Sequence, residues 1–265
     1  MNVLLHPPGP SLVVSLVSHG HGPMVQRLLE DMARLSAATV ARVVLTLNLP
    51  EAGPRPPEGG WPFALDILRN PTPQGFAHNH NQALRGAGEP FFCVLNPDIA
   101  LAYGDPFATL VQVAAQSDVG CAYPLQRDVQ GQVQDSERTL PTPAALWRRR
   151  VLRQPEDSGA RVEWVNGACM VIPRPLWEQL AGFDERYFMY CEDVDLSLRI
   201  RLAGKRLARV PATVQHEAQR SSHRQWRALG WHLMSLWRLW NSPVYRQAQR
   251  MLPTDTNTPD RISGS

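Results

Sequence analysis

The chain predicts an α/β fold: an open, mostly parallel sheet flanked by helices, with an amphipathic helix at its C-terminal end. Three observations carry that prediction. Apolar runs of strand length recur at Leu12–Ser18, Val43–Asn48, Phe91–Leu95 and Val119–Tyr123, and near-continuous apolarity marks strands covered on both faces. Segments of helical period separate them, clearest over Met24–Ala38, where Val25, Leu28, Leu29, Met32 and Leu35 share a stripe. Polar residues close the strands (His19, Asn48, Asn96 and Asp98), and ligands bind beyond the carboxyl ends of strands in open α/β sheets.

In chain order, residues 1–10 are Pro-rich and are expected to fray. His19-Gly20-His21-Gly22-Pro23 turns sharply between the first strand and the first helix, and Val43–Asn48 completes a βαβ unit. Pro50, Pro54, Pro56, Pro57, Gly59, Gly60 and Pro62 make residues 50–62 a loop. A short strand over Ala64–Leu68 leads to the turn Asn70–Phe76; a helix begins near Ala77 and stops by Gly86–Gly88. The strand Phe91–Leu95 ends in Asn96-Pro97-Asp98, a helix covers Pro106–Gln116, and the next strand is Val119–Tyr123.

Residues 124–160 read as polar and irregular, with Arg148-Arg149-Arg150 among them. Order returns with Trp164–Ile172 and a Pro-started helix through Leu180. An aromatic turn (Phe183, Tyr187, Phe188, Tyr190) then precedes Glu192-Asp193-Val194-Asp195, where Leu196, Ile200 and Ala203 repeat at helical spacing. Acidic side chains in a first helical turn are stabilised as anions by the helix dipole. Two short strands follow, Leu207–Val210 and Thr213–Gln215, the second ending in His216.

The helix Trp226–Trp240 sets Trp226, Leu229, Leu233, Leu236, Trp237 and Trp240 on one stripe, opposite Arg227, Ser235 and Arg238. Such a stripe packs on a core or lies along an interface. The tail after Pro253 is expected to be disordered. The expected organisation is one α/β domain over residues 1–222, a helical segment over 223–252 and the tail 253–265.

Composition narrows the class. Of 265 residues 43% are hydrophobic and 19% charged, as in soluble globular proteins. A net charge of +3, with Lys205 the only lysine, argues against a nucleic-acid partner. Cys93, Cys121, Cys169 and Cys191 are scattered and read as reduced, buried thiols. The sequence shows no signal-peptide pattern and no apolar run near the roughly 20 residues of a membrane span. A cytoplasmic protein is expected, with the C-terminal helix available for peripheral contact with the inner face of a membrane.

Chemistry gathers at two places. Asp98 sits at a strand end, either as a turn former or as an oxygen ligand for Mg²⁺ or Mn²⁺; His216 at another strand end could add a nitrogen ligand, which suits Mn²⁺ better. Adjacent carboxylates at Glu192 and Asp193 oppose double ionisation, which raises one pKa toward the range of a general base. Asp195 is placed to pair with Arg199 on the helix surface. His78-Asn79-His80-Asn81 is no metal box, since residues two apart on a helix do not share a face; it reads as polar contacts of a helix start.

Taken together, Val14–His19, Asn70 with Gly75-Phe76-Ala77 and Asn81, Leu95–Asp98, Trp164–Ala168, Gly182–Glu185, and Tyr190 with Glu192–Leu196 and Arg199 resemble the family 2 glycosyltransferases of the GT-A fold, a Rossmann-like architecture. The rhamnosyltransferase-like bacterial branch is the nearest, and the match runs colinearly over about residues 12–220. The resemblance implies an inverting, metal-dependent transfer of a sugar, with a deoxythymidine-diphosphate rhamnose-like donor and a saccharide or lipid-linked saccharide acceptor. It puts Asp98 in the metal-binding DxD position, with Asn96 replacing the first Asp and His216 as a further ligand. It makes Asp193 the base and Glu192 an acceptor contact. It brings His19, Asn48, Asn70, Gly75, Phe76, Asn81 and Asn96 to the nucleotide sugar, and Trp164, Asn166, Gly167 and Tyr190 to the acceptor. Gly20 and Leu47 depart from the family pattern, standing where many relatives carry Asn and Asp. Two rival classes are a glycoside hydrolase using Glu192 or Asp193 and a non-catalytic nucleotide-sugar binding module, which Asn96 and Leu47 leave open.

Overall fold

Leu12, Val13, Val14 and Leu16 are all fully buried, so the first strand needs cover on both faces, and burying each such side chain is worth about 1.5–3 kcal/mol. The computed structural model, which describes residues 10–142, 162–217 and 225–251, gives it a central place. β1 (Leu12–Ser18) pairs in parallel with β2 (Val40–Leu47) on one side and β4 (Phe91–Leu95) on the other. The sheet continues through β3 (Ala64–Arg69) at one edge; beyond β4 come β9 (Cys169–Pro173), β6 (Val119–Arg127), β10 (Arg206–His216) and β5 (Ile99–Ala100). Only β9 and the two-residue β5 run against the rest. The expected open, mostly parallel α/β sheet is what forms.

Helices cover both faces. α1 (Gly22–Leu35) and α3 (Phe107–Ala114) pack on one through Leu28, Leu29, Phe107 and Leu110. α2 (Phe76–Leu84), α4 (Arg174–Gln179) and α5 (Glu192–Leu202) cover the other through Leu84, Trp177, Leu196 and Ile200. The outer side of α5 carries a third cluster, in which Val194 and Leu198 meet Leu236 and Leu239 of α6 (Gln225–Asn241) and Tyr245 and Ala248 of α7 (Pro243–Met251).

Several local expectations change. α1 starts earlier than Met24 because Pro23 sits in its first turn, where a fixed φ is already helical and no N–H is needed. The expected pair of strands near residues 207 and 213 is one strand, β10, whose pairing with β6 shifts register between Arg209 and Thr213. Pro211 lies in that gap and has no N–H for the ladder. The stretch expected to be irregular holds the end of β6, a bridge from Arg127 to Val133 and β7 (Glu137–Arg138), which pairs with β8 (Trp164–Val165). Arg148–Arg150 and the tail after Pro253 lie outside the described residues. The stripe on α6 is divided: Leu236 is buried and Trp240 half-buried, whereas Leu233 and Trp237 are exposed. Ser235, expected on the solvent side, is buried and donates to the Met189 carbonyl at 2.9 Å. The helical segment expected over 223–252 is two helices, α6 and α7, parted at Ser242.

Candidate active site

Two polar centres form at the carboxyl edge of the sheet. The first is the corner after β4. Asn96, Pro97 and Asp98 are half-buried there, and the chain then enters β5, whose antiparallel pairing with Gln215 and His216 brings residues 98 and 216 together. His216 Nε2 lies 3.3 Å from Asp98 Oδ2. Gln134, far away in sequence, holds the imidazole: its Nε2 donates to the His216 carbonyl at 2.9 Å, which turns its Oε1 to His216 Nδ1 at 2.8 Å. An amide oxygen accepts only, so Nδ1 carries a hydrogen and Nε2 is the ring nitrogen turned toward the carboxylate. Asp98 Oδ1 is buried with no hydrogen-bond partner. Two electron-rich groups converging with an orphaned oxygen suit a cation, and a carboxylate plus an imidazole suits Mn²⁺.

The second centre is the start of α5. Tyr190 and Cys191 both have left-handed φ, 71° and 67°, and this double reversal swings Glu192 and Asp193 inward. Asp193 is half-buried; its Oδ1 accepts from Val194 N at 2.8 Å and its Oδ2 from Gly167 N at 3.2 Å. Glu192 is 6% exposed, and its Oε2 has no partner. Burial, with Asp193's charge added, pushes the Glu192 carboxyl well up. Burial also raises Asp193, but the two backbone N–H groups and the charge of Arg138 oppose it. Asp193 is therefore the member better able to stay ionised.

One turn joins the centres. Between β8 and β9, Asn166-Gly167-Ala168 gives Asp193 the Gly167 N–H, while the Ala168 carbonyl accepts from Asn96 N at 2.9 Å. Gln126 locks the turn through two amide bonds with Asn166, 2.7 and 2.9 Å. A Cβ on Gly167 would lie 3.3 Å from the Phe76 ring and 3.6 Å from Asp193 Cβ, so the turn packs tightly on both. Trp164 is buried and donates from Nε1 to the Thr139 carbonyl at 2.7 Å, with the Arg138 guanidinium 5.2 Å from its ring centre.

The remaining residues singled out in the sequence have their own places. Asn48 accepts at Oδ1 from Asn70 Nδ2 and Gln74 N, both at 2.8 Å, and donates from Nδ2 to His19 and to the Gln74 carbonyl. Asn70 also donates to Asn79 Oδ1 at 2.7 Å. These amides shape the loops after β1, β2 and β3. Gly75 lets α2 approach the aromatic turn, since a Cβ there would stand 2.5 Å from the Phe188 carbonyl oxygen, which accepts from Phe76 N at 2.9 Å. Asn81 lies on the far side of α2, bonded to both the N–H and the carbonyl of Phe183 and to Glu185. Tyr190 is exposed, its ring 5.1 Å from that of His232.

Two readings need correction. Asp195 does pair with Arg199, at 2.7 Å, but it is buried and Arg199 half-buried, and Arg199 also donates to the carbonyls of Leu180 and Gly182. It clasps the turn leading to the acidic stretch, and surface charge has no part in it. In the 78–81 cluster, His78, Asn79 and Asn81 make the expected polar contacts, but His80 turns into the core. There it meets Ser15 Oγ at 2.7 Å, and burial lowers its pKa to about 3. Sequence reasoning missed Gln126, Gln134 and Arg138, which lie in or beside a stretch without periodicity; only a non-local fold brings them to the site.

Comparison with known proteins adds the family. The model described as "Glycosyltransferase like family 2" matches residues 64–230. The chain is 28% identical to the rhamnosyltransferase WbbL of Escherichia coli K12 over 243 residues, 85% of this chain and 90% of that one. It is 32% identical to the N-acetylglucosaminyl-diphospho-decaprenol L-rhamnosyltransferase of Mycobacterium tuberculosis over 242 residues, 80% of this chain and 78% of the relative. Among solved structures, the mannosyltransferase PcManGT of Pyrobaculum calidifontis, in complex with GDP-Man and Mn²⁺, superposes with a TM-score of 0.61 at 18% identity, over 89% of this chain and 69% of its own. That likeness is one of fold, and the fold is GT-A.

Proposed function

This chain belongs to the family 2-like glycosyltransferases, and from that premise we propose an inverting enzyme that moves a sugar, rhamnose by its relatives' names, from a nucleoside diphosphate to a lipid-linked saccharide at the cytoplasmic face of a membrane. The observation that carries the mechanism is the Asn166–Ala168 turn, which holds Asp193 and the Asn96–Asp98 corner in one frame.

In a single displacement the acceptor hydroxyl attacks the anomeric carbon as the nucleoside diphosphate leaves. Asp193 receives the hydroxyl proton, the role its two backbone N–H bonds fit by favouring its anion. Glu192, pushed toward its protonated form, orients the acceptor hydroxyl by hydrogen bonding. Asp98 and His216 would hold a divalent cation, Mn²⁺ or Mg²⁺. When bound, such a cation stabilises charge on the leaving diphosphate, by about 4 kcal/mol for a unit pair at about 4 Å and an effective dielectric constant of about 20. Trp164, Asn166, Gly167 and Tyr190 border the acceptor side. His19, Asn48, Asn70, Gly75, Phe76 and Asn96 shape the donor side, several through the loop contacts described above, while Asn81 faces Phe183 and Glu185 instead.

The test is a thermal-shift panel of uridine, guanosine and deoxythymidine diphosphate sugars, with and without Mn²⁺, followed by transfer assays. A deoxythymidine diphosphate sugar should give the largest shift, and Mn²⁺ should increase it. Asp98→Ala should abolish the Mn²⁺-dependent part of nucleotide binding by calorimetry. Asp193→Asn should keep donor binding and lower transfer by at least about a hundredfold. Near-normal turnover by Asp193→Asn, or unchanged Mn²⁺-dependent affinity in Asp98→Ala, would remove those roles.

A further inference from the structure

Among the described residues, the α6–α7 pair has one face on the protein and one without cover. Toward the protein, Leu236 and Leu239 are buried, Ser235 bonds the Met189 carbonyl, and Trp231 lies 5.0 Å from Phe188 between ring centres. Away from it, Leu233, Met234 and Trp237 are 57, 58 and 65% exposed. Their spacing puts them on one side of the helix, and Gly230, one turn earlier, borders open space. Large apolar side chains grouped on a helix surface mark an interaction face.

The charge around them is one-sided. Between Ala218 and Met251 the sequence has Arg220, Arg224, Arg227, Arg238, Arg246 and Arg250 but no aspartate or glutamate, although the whole chain carries 24 acidic residues. Arg246 and Arg250 are exposed on α7. Among the described residues no helix is long and apolar enough to cross a membrane. An exposed apolar stripe on a helix pair whose permanently charged side chains are all arginine matches an anionic bilayer surface, where apolar side chains enter the acyl boundary and cations meet lipid phosphates. A two-fold dimer through the same face would set these arginines against their own copies with no carboxylate to pair them.

We propose that the α6–α7 face docks the enzyme on an anionic membrane surface through Leu233, Met234 and Trp237, with Arg246 and Arg250 meeting lipid phosphates. This deepens the proposed function and rests on it for the acceptor. Through Ser235, Trp231 and His232 the docked helix grips the turn Phe188–Cys191, directly before Glu192 and Asp193. The bilayer contact and the acceptor site are thus fastened to each other, which suits a sugar acceptor whose diphosphate is tethered to lipid.

The experiment is vesicle flotation of the full chain, comparing phosphatidylcholine vesicles with equal mixtures of phosphatidylcholine and phosphatidylglycerol. Binding to the mixed vesicles should be at least about tenfold tighter and should weaken with added salt. The triple variant Leu233→Gln/Met234→Gln/Trp237→Gln should lose at least about tenfold of that binding. Its nucleotide-sugar thermal shift and its transfer to a water-soluble acceptor should be unchanged. Arg246→Ser/Arg250→Ser should reduce the preference for anionic vesicles. Wild-type chain that stays unbound to mixed vesicles, or a triple variant that binds as wild type does, overturns the proposal. So does a wild-type dimer in light scattering that the triple variant turns to monomer, which would assign the face to a second copy. Vesicle binding without any nucleotide-sugar shift would instead defeat the enzymatic reading and leave the membrane face standing.

Discussion

Asp193 accepts two backbone N–H bonds, whereas Glu192 has a buried oxygen with none, and two pH effects follow. In the proposed mechanism Asp193 must be ionised to receive a proton, and burial raises its pKa, so kcat/KM should rise with pH along a limb lying above the ordinary carboxylate range. Arg138 holds that limb down; Arg138→Ala should move it to higher pH, measured as a pH profile with a water-soluble acceptor. For Glu192 the folded pKa is raised above the unfolded one. Its favourable contribution to stability is complete below the unfolded pKa and is lost as pH rises through the folded value. Glu192→Gln, which cannot ionise, should therefore gain in Tm relative to wild type as pH rises from 4 to 8, even as transfer falls. A Tm difference independent of pH would show that the carboxyl ionises in the fold at little cost.

At the scale of elements, the aromatic turn before Glu192 depends on a close backbone approach. Phe188 O lies 2.5 Å from where a Cβ on Gly75 would stand, so α2 and the aromatic turn meet main chain to main chain. Gly75 itself has an ordinary φ of −70°; the demand is for space. Gly75→Ala should destabilise the fold by about 1–3 kcal/mol, as overpacking does. It should also lower kcat more than donor affinity, because Glu192 and Asp193 follow the displaced turn directly. Denaturant unfolding with parallel steady-state kinetics checks both. The sequence made this turn legible as aromatic and acidic, but the opposing element was not, since the partner residue lies more than a hundred positions away.

For the whole molecule, the third hydrophobic cluster ties the C-terminal helices to the helix that carries the acidic pair. Leu239 is fully buried in that cluster, which also holds Tyr187, Val194 and Leu198. Leu239→Ala should cost about 2–5 kcal/mol. Because the cluster backs α5, transfer should fall together with the Tm, while the Asp98 corner keeps its Mn²⁺ response. A variant with wild-type Tm would show that α6 is dispensable to the fold.

The sheet and the covering helices were legible because apolar runs and helical periods are local consequences of burial on two faces or one. The places of Asp98 after a strand end and of Glu192 and Asp193 at a helix start were legible as well, from the apolar runs and periods beside them. Other features were not readable along the chain: the Gln134 bond that sets the His216 tautomer, the Gln126–Asn166 lock, the burial of Asp195 and His80, and the division of the α6 stripe into a packed and a bare side. Each depends on a contact between distant segments, and a hydrogen bond's partner or a helix's buried face is set only when the rest of the chain packs against it. Sequence alone determined which groups could do the chemistry. The tertiary structure decided which carboxylate is bonded and which orphaned, and so how the two differ in holding a proton.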